Sequence, residues 1–447
     1  MNDSCKKTAF LLNNAIKLHG IRMILPPCIF SVESAAMSFL DDLPLLPPDP
    51  LLAVARQAGQ DNRAGKIDLT IGVYKDRSGQ TPIFRSVKAA ESYLVQNERT
   101  KSYISTDGVA TFCSAITAFV LPTHQVACNR LATVQTIGGT GALSLAGRFL
   151  AENCPGQAVW IGTPTWSNHV AVMQQCGLPI QTYPRSLPGG GRNFTAMMDV
   201  LANKARRGDI ILLQPVCHNP TGDDWNDAEW AEIVEQVVRA GLVPLVDMAY
   251  HGLGQTLDAD LLRLHALMEK VEIALLCYSC SKNFGLYRER VGALLVGGQS
   301  RARPAALQSQ LAAIARASYS MPPAHGAGVV GHILTTPALR AQWEDEVRDM
   351  QAHLHAVRQT LATHERIGPC NARAIARGQG MFCMLPLPPA IIMLLRNEHG
   401  LYMADNGRIN LAALNENNLQ RFVSLINQAW ESAQARTAVA AGLPASS

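Results

Sequence analysis

The sequence predicts an α/β fold, a mostly parallel seven-stranded sheet flanked by helices on both faces, with a smaller α+β domain attached. Three observations carry this. Apolar runs alternate with amphipathic segments in a βαβα rhythm through the middle of the chain. The runs are apolar along nearly their whole length, as strands covered on both faces must be. Near Arg340 the texture changes, and a long amphipathic stretch leads into shorter, mixed elements.

Residues 1–36 stand apart from this pattern. Lys6, Lys7, Lys17 and Arg22 are interleaved with the apolar run 21–30, which Arg22 and Pro26-Pro27 interrupt. That run is too short to span a bilayer. It also lacks the ordered basic, apolar and cleavage regions of a secretory signal. The expectation is an upstream extension outside the fold, with Met37 an alternative start. Pro47-Pro48-Asp49-Pro50 then punctuates the entry, and Leu51, Leu52, Val54 and Ala55 begin a helical pattern.

Candidate strands follow at 132–137, 158–161, 210–214, 242–246, 273–277 and 293–296, each a short apolar run. Helical patterns lie between most of them, at 142–151, 169–175, 227–240 and 258–270. A longer helix is expected from Arg340 to about Thr363, then strands at 381–385 and 408–412. The expected division is a large domain over 82–348, a small domain from 48–81 with 349–435, and a tail at 436–447.

Composition narrows the function classes. Of 447 residues, 48% are hydrophobic and 17% charged, a balance that supports a large core. The net charge of +4 is spread without a block of one sign, so neither a nucleic acid nor a membrane surface is implied as partner. Eleven cysteines form no CxxC pair, and several sit in apolar runs. They read as small core residues in a reducing, cytoplasmic setting, without a metal site or a disulfide framework.

The chemistry-bearing residues cluster where predicted strands end, which is where open α/β sheets place their ligands. Gly138-Gly139-Thr140-Gly141 separates the first strand from a helix. It suits either a tight turn or a phosphate cradle of backbone N–H groups at a helix N-terminus. The spacing is not that of a dinucleotide fold. Trp166 follows the second strand, and its indole suits either core packing or stacking on an aromatic ring. His169, three residues on, reads as structural. His218-Asn219-Pro220-Thr221-Gly222 follows the strand at 210–214 and is compatible with a plain Asn-Pro turn. Asp247-Met248-Ala249-Tyr250 ends the next strand; its carboxylate either caps a helix or pairs with a base. Lys282, in Ser279-Cys280-Ser281-Lys282-Asn283, lies just past the strand at 273–277. A lysine there is either a solvated loop residue or, being readily shifted in pKa, a Schiff-base nucleophile.

Taken in order, these five motifs resemble the class I aminotransferases of the aspartate/aromatic-amino-acid group, pyridoxal-phosphate enzymes of fold type I. The resemblance runs from about Pro48 to about Trp430. It implies that Lys282 anchors pyridoxal phosphate and shuttles a proton, and that Asp247 pairs with the pyridine nitrogen. Asn219 and Tyr250 would bind the ring oxygen, and Trp166 would stack on the ring. Gly139, Thr140, Ser279 and Arg290 would hold the phosphate, together with Tyr103 of a neighbouring subunit. Arg408 and the N–H of Gly72 would bind the substrate α-carboxylate, with Trp166 and Asn219 beside it. Arg316 would cross from the other subunit to a side-chain carboxylate, which makes a homodimer a functional requirement.

Two departures from the family's common pattern bear on substrate choice. Cys280 replaces a larger residue, and Met321 replaces a polar one beside Arg316. A more apolar pocket follows, and with it activity on aromatic as well as dicarboxylic amino acids, by ping-pong kinetics with 2-oxoglutarate. The two arginines argue against a β-lyase or decarboxylase, and the complete cofactor set argues against a retired binding module.

Overall fold

Seven strands pair into one sheet in a computed structural model that describes residues 43–121, 123, 131–187, 190–299 and 303–440. The expectations for residues 1–36, for Met37 and for the end of the tail lie outside the described residues, as do Cys5, Cys28 and Cys128. In chain order the strands are β1 (Ala132–Ile137), β2 (Val159–Thr163), β3 (Ile180–Pro184), β4 (Ile210–Leu213), β5 (Val243–Met248), β6 (Ala274–Ser279) and β7 (Val291–Gly297). Their spatial order is β1-β7-β6-β5-β4-β2-β3. Pairing is parallel from β6 through to β3, and β7 runs antiparallel to both of its neighbours. β1 and β6 therefore point the same way, and the C-terminal ends of β1, β2, β4, β5 and β6 open on one edge of the sheet.

The central strands are apolar because both faces are covered: every residue of β4, β6 and β7 is buried. Alternate residues feed two cores. Ile211, Leu213, Val246, Leu276 and Tyr278 join one cluster, while Ile210, Leu212, Leu245, Leu275 and Cys277 join another on the opposite face. β3 is the strand that the sequence does not announce. It is an edge strand with two exposed polar positions, so it carries no continuous apolar run. Asp209, buried at the head of β4, ties the edge together by accepting from Ala158 N–H at 3.0 Å, Trp160 Nε1 at 2.9 Å and Arg206 N–H at 2.9 Å.

Helix boundaries follow local chemistry. The helix Asp227–Ala240 begins with a reciprocal capping box between Asn226 and Glu229 and ends at Gly241, whose φ is 64°. After β1 the glycines are not a loop before a helix near Ala142. They form its first turn, since α1 spans Gly138–Asn153. The long helix expected from Arg340 is α2 (Pro337–Ala362), started by Pro337 in its first turn.

A third core cluster gathers Ile67 and Leu69 with residues from Val357 to Ala429. Here the two ends of the chain meet. Ile67–Asp68 pairs in parallel with Leu401–Tyr402, and Phe382–Met384 pairs antiparallel with Arg408–Asn410. The buried Asn410 side chain donates to the carbonyls of Ile71 and Val73, both at 2.8 Å. That clasp fixes the backbone on either side of Gly72. Among the described residues no helix is long and apolar enough to cross a membrane.

Candidate active site

The strand ends open onto a cavity of about 310 Å³. Gly139 and Thr140 reach it from the start of α1, Trp166 from the turn after β2, Asn219 from the loop after β4, and Asp247 and Tyr250 from the end of β5. Ser279, Ser281 and Lys282 come from the end of β6, and Arg290 from the turn before β7. Gly72, Phe382 and Arg408 close the other side.

Lys282 sits at the centre. Its Nζ donates to the carbonyl of Gly72 and lies 5.8 Å from the ring centre of Tyr250 and 5.0 Å from that of Tyr287. Burial, with the guanidiniums of Arg408 and Arg290 adding repulsion, lowers its pKa from 10.5 to about 8. The amine is thus shifted toward the neutral form, as nucleophile and base both require.

Asp247 is 6% exposed and does not cap a helix. Its Oδ2 accepts from His169 Nε2 at 2.9 Å, and His169 Nδ1 is bonded to the Thr165 hydroxyl at 2.7 Å. A carboxylate only accepts, so Nε2 carries the hydrogen of that bond. Here the sequence reading falls short. His169 is a direct partner of the central carboxylate, 78 residues away in the chain, with no local signal beyond its place after the tryptophan. Trp166 stands edge-on to it, with ring centres 5.2 Å apart at 87°.

Asn219 Nδ2 donates to Tyr250 Oη at 3.2 Å, which leaves the tyrosine proton free to donate into the cavity. Burial, with Asp247 nearby, pushes the Tyr250 phenol up, so it stays protonated. Arg408 is 6% exposed, and its guanidinium donates to Thr70 O at 2.7 Å and to Asn219 Oδ1 at 3.4 Å. It also lies 4.6 Å from the centre of the Phe382 ring, and its Nε is buried without a partner. Phe382 was not foreseen as a site residue, because a phenylalanine in a predicted strand reads as core. Ser281 and Tyr287 were likewise hidden inside a motif whose other members drew attention.

At the opposite end α1 begins without a side-chain cap. Gly138 has φ +65°, and a Cβ there would stand 2.6 Å from Arg290 Nη2. Only glycine lets the guanidinium come this close to the first turn of the helix. Ser279 lies beside them, its Cβ 3.0 Å from where a Cβ on Gly139 would be. Clustered N–H groups, a hydroxyl and a guanidinium form a seat for a dianion.

Two expected residues lie outside this cavity. Tyr103 is 91% exposed, and Arg316 donates to Ser320 Oγ at 2.5 Å near the end of its helix. Met321 accepts from the Ile104 N–H at 3.2 Å and so joins the segment carrying Tyr103 to the turn after Arg316. Cys280 is fully buried in a core cluster and does not line the cavity.

Known proteins share this architecture. The family model for "Aminotransferase class I and II" matches residues 64–426. A tyrosine aminotransferase from Rhizobium meliloti (strain 1021) is 44% identical over 82% of this chain and 94% of its own length. An aspartate aminotransferase from Escherichia coli (strain K12) is 40% identical over 85% of this chain and 97% of its own. Among solved structures, an aromatic-amino-acid aminotransferase from Burkholderia pseudomallei covalently bound to pyridoxal phosphate aligns with a TM-score of 0.83 at 35% identity, covering 88% of this chain and 100% of that one.

The cavity suits that cofactor. It offers clustered N–H groups beside a guanidinium that a Cβ at position 138 would drive away, a buried carboxylate, and a lysine amine. In sequence, in fold and in the furnishing of this cavity, the chain belongs to the class I and II aminotransferases and is a pyridoxal-phosphate-dependent transaminase.

Proposed function

We propose that this enzyme transfers the amino group of aromatic and dicarboxylic amino acids to 2-oxoglutarate, as a cytoplasmic homodimer with shared active sites. The observation that carries the reading is the buried Lys282 amine, lowered to about 8, in one cavity with the Asp247 carboxylate and the Arg290 and Arg408 guanidiniums. Relatives named for tyrosine, aromatic amino acids and aspartate support both substrate classes.

When bound, pyridoxal phosphate supplies an aldehyde that condenses with amines and a pyridine ring that accepts the electron pair of the broken bond. Gly139, Thr140, Ser279 and Arg290 would hold its phosphate. Asp247, steadied by His169, would hold the proton on its ring nitrogen. Asn219 and Tyr250 would donate to its ring oxygen, and Trp166 would cover its face. Arg408 and the Gly72 N–H take the substrate α-carboxylate and so fix the direction of the Cα–H bond. Lys282 Nζ, whose neutral form is far better populated near neutral pH than an ordinary lysine's, takes the proton from Cα.

Tyr103 and Arg316 complete the site of the second copy in this reading. Tyr103 reaches its phosphate, and Arg316 the side-chain carboxylate of a dicarboxylic substrate. The eight described cysteines are all unpaired, in keeping with a reducing cytoplasm. Segments 48–81 and 349–435 act as a small domain beside the larger one at 82–348.

The test is a kcat/KM panel over aspartate, tyrosine and phenylalanine. Lys282→Ala abolishes turnover of all three. Arg316→Leu lowers the aspartate half-reaction by about 100-fold, the worth of one charge-assisted pair, and spares phenylalanine. Mixing Lys282→Ala and Arg316→Leu chains restores aspartate turnover in hybrid dimers. A hybrid without recovered activity sinks the shared-site reading, and equal loss on both substrates sinks the role of Arg316.

A further inference from the structure

Arg358, on α2, is a buried guanidinium held without a carboxylate. It is 3% exposed, and its Nη1 donates to the carbonyl of Ile375 at 2.6 Å. Nη2 is shared among the carbonyls of Gln379, Gly380 and Phe382 at 2.9, 3.1 and 2.7 Å. Burying a cation this way costs free energy that an apolar side chain would not incur. The location of its acceptors supplies the reason for it.

Those carbonyls belong to the segment that wraps the guanidinium and enters the strand Phe382–Met384. This strand pairs with Arg408–Asn410, Met384 opposite Arg408, and the Phe382 ring lies under the Arg408 guanidinium. Arg408 is also held by the Thr70 carbonyl at 2.7 Å and by Asn219, on the loop that ends at Gly222. Gly222 accepts at its carbonyl from Gln379 N–H at 2.7 Å. A Cβ on Gly222 would stand 2.1 Å from Phe382 O and 2.7 Å from Arg358 Nη2. Two of the three structures that seat Arg408 therefore meet at one side chain.

We infer that Arg358 is a positioning residue for substrate recognition: it locks the segment 379–382 against the loop 219–222 so that Arg408 presents its planar fork to the α-carboxylate. The inference rests on the reading of Arg408 as the carboxylate clamp. Arg358 itself touches neither substrate nor cofactor. Its planar donors reach carbonyls on both sides of the turn, which the single ammonium of a lysine cannot match.

The experiment compares phenylalanine with phenethylamine, which has the same ring and amine but no carboxylate, in single-turnover reactions of the holoenzyme. The parent prefers phenylalanine. Arg358→Met lowers that preference about 10-fold, as expected for one weakened charge-assisted hydrogen bond, while phenethylamine keeps its rate within about threefold. The dissociation constant of 3-phenylpropionate, read by calorimetry, rises by the same factor. Arg408→Leu is the control. If it leaves the preference intact, the clamp reading fails and the inference goes with it. If Arg408→Leu collapses the preference but Arg358→Met slows both amines equally, Arg358 is structural only and the inference is overturned. Should Arg358→Met not fold, Arg358→Lys carries the test. It keeps the charge but reaches fewer carbonyls, and a preference equal to the parent's overturns the inference.

Discussion

Replacing Lys282 with methionine keeps the length of the side chain and removes its charge. In protein freed of cofactor the Lys282 amine titrates at about 8, against 10.5 for an ordinary lysine. At about 1.4 kcal/mol per pH unit, the gap corresponds to about 3 kcal/mol in favour of the neutral amine in the fold. The figure is an upper value, because Nζ faces the cavity and keeps its bond to the Gly72 carbonyl. Below pH 8 folded and unfolded chains both carry the proton, and the fold bears the full cost of a buried ammonium. Between pH 8 and 10.5 the folded chain has released it and the unfolded chain has not. Unfolding then takes up a proton, so stability rises with pH across that window. Lys282→Met has no such dependence. Its advantage over the parent is largest near neutrality, up to about 3 kcal/mol, and shrinks by about 1 kcal/mol per pH unit through the window. Urea unfolding of both cofactor-free proteins, at one protein concentration and several pH values, measures it. A difference in stability that stays constant with pH would refute the depressed amine, and with it the argument that Lys282 is ready to act as a base.

Three further outcomes follow from the geometry. Gly138→Ala imposes a side chain at φ +65° and drives Arg290 away, so it should cost about 1–2 kcal/mol in strain and weaken binding of the cofactor and of free phosphate alike, measured by equilibrium dialysis. His169→Leu leaves the buried Asp247 without its partner. It should lower kcat about 10-fold or more, whereas His169→Gln, which retains a donor, should recover part of the loss in the same assay. Asp209→Ala strands three N–H groups at the sheet edge and should destabilise the fold by about 2–4 kcal/mol, read from denaturant midpoints, without changing KM.

Much of this fold was legible because burial on both faces forces apolar runs, and those runs are β1, β2, β4, β5, β6 and β7. β3 was not, since Gln181 and Thr182 face solvent at the edge and leave no run to read. The site follows the same logic. Lys282, Asp247 and Asn219 could be placed at the ligand edge because they lie at or past the ends of apolar strands, but only the five motifs in order singled them out from ordinary loop residues. His169 and Phe382 were not, because their roles arise from contacts that no local pattern encodes. His169 meets Asp247 only when β2 and β5 lie in one sheet, and Phe382 meets Arg408 only through strand pairing near the end of the chain. The glycines that open α1 were expected between the strand and a helix starting near Ala142, as a tight turn or a phosphate cradle, whereas positive φ at Gly138 lets the helix start at once.

The clasp between the two ends of the chain sets an order of assembly during synthesis. Gly72 forms one wall of the cavity, yet Asn410 holds the carbonyls on either side of it. At ~5–20 residues per second, roughly 20–70 s of translation separate the two positions. By the last third of that interval a ribosome carries a chain whose strand ends from β1 to β6 are made, while Ile67 and Leu69 still lack Leu401 and Ile409 to bury them. The emerging chain thus displays an apolar N-terminal segment to any waiting chaperone. Arg408 is among the last parts of the cavity wall to be synthesised, so the cavity closes only after every strand end that lines it has been made.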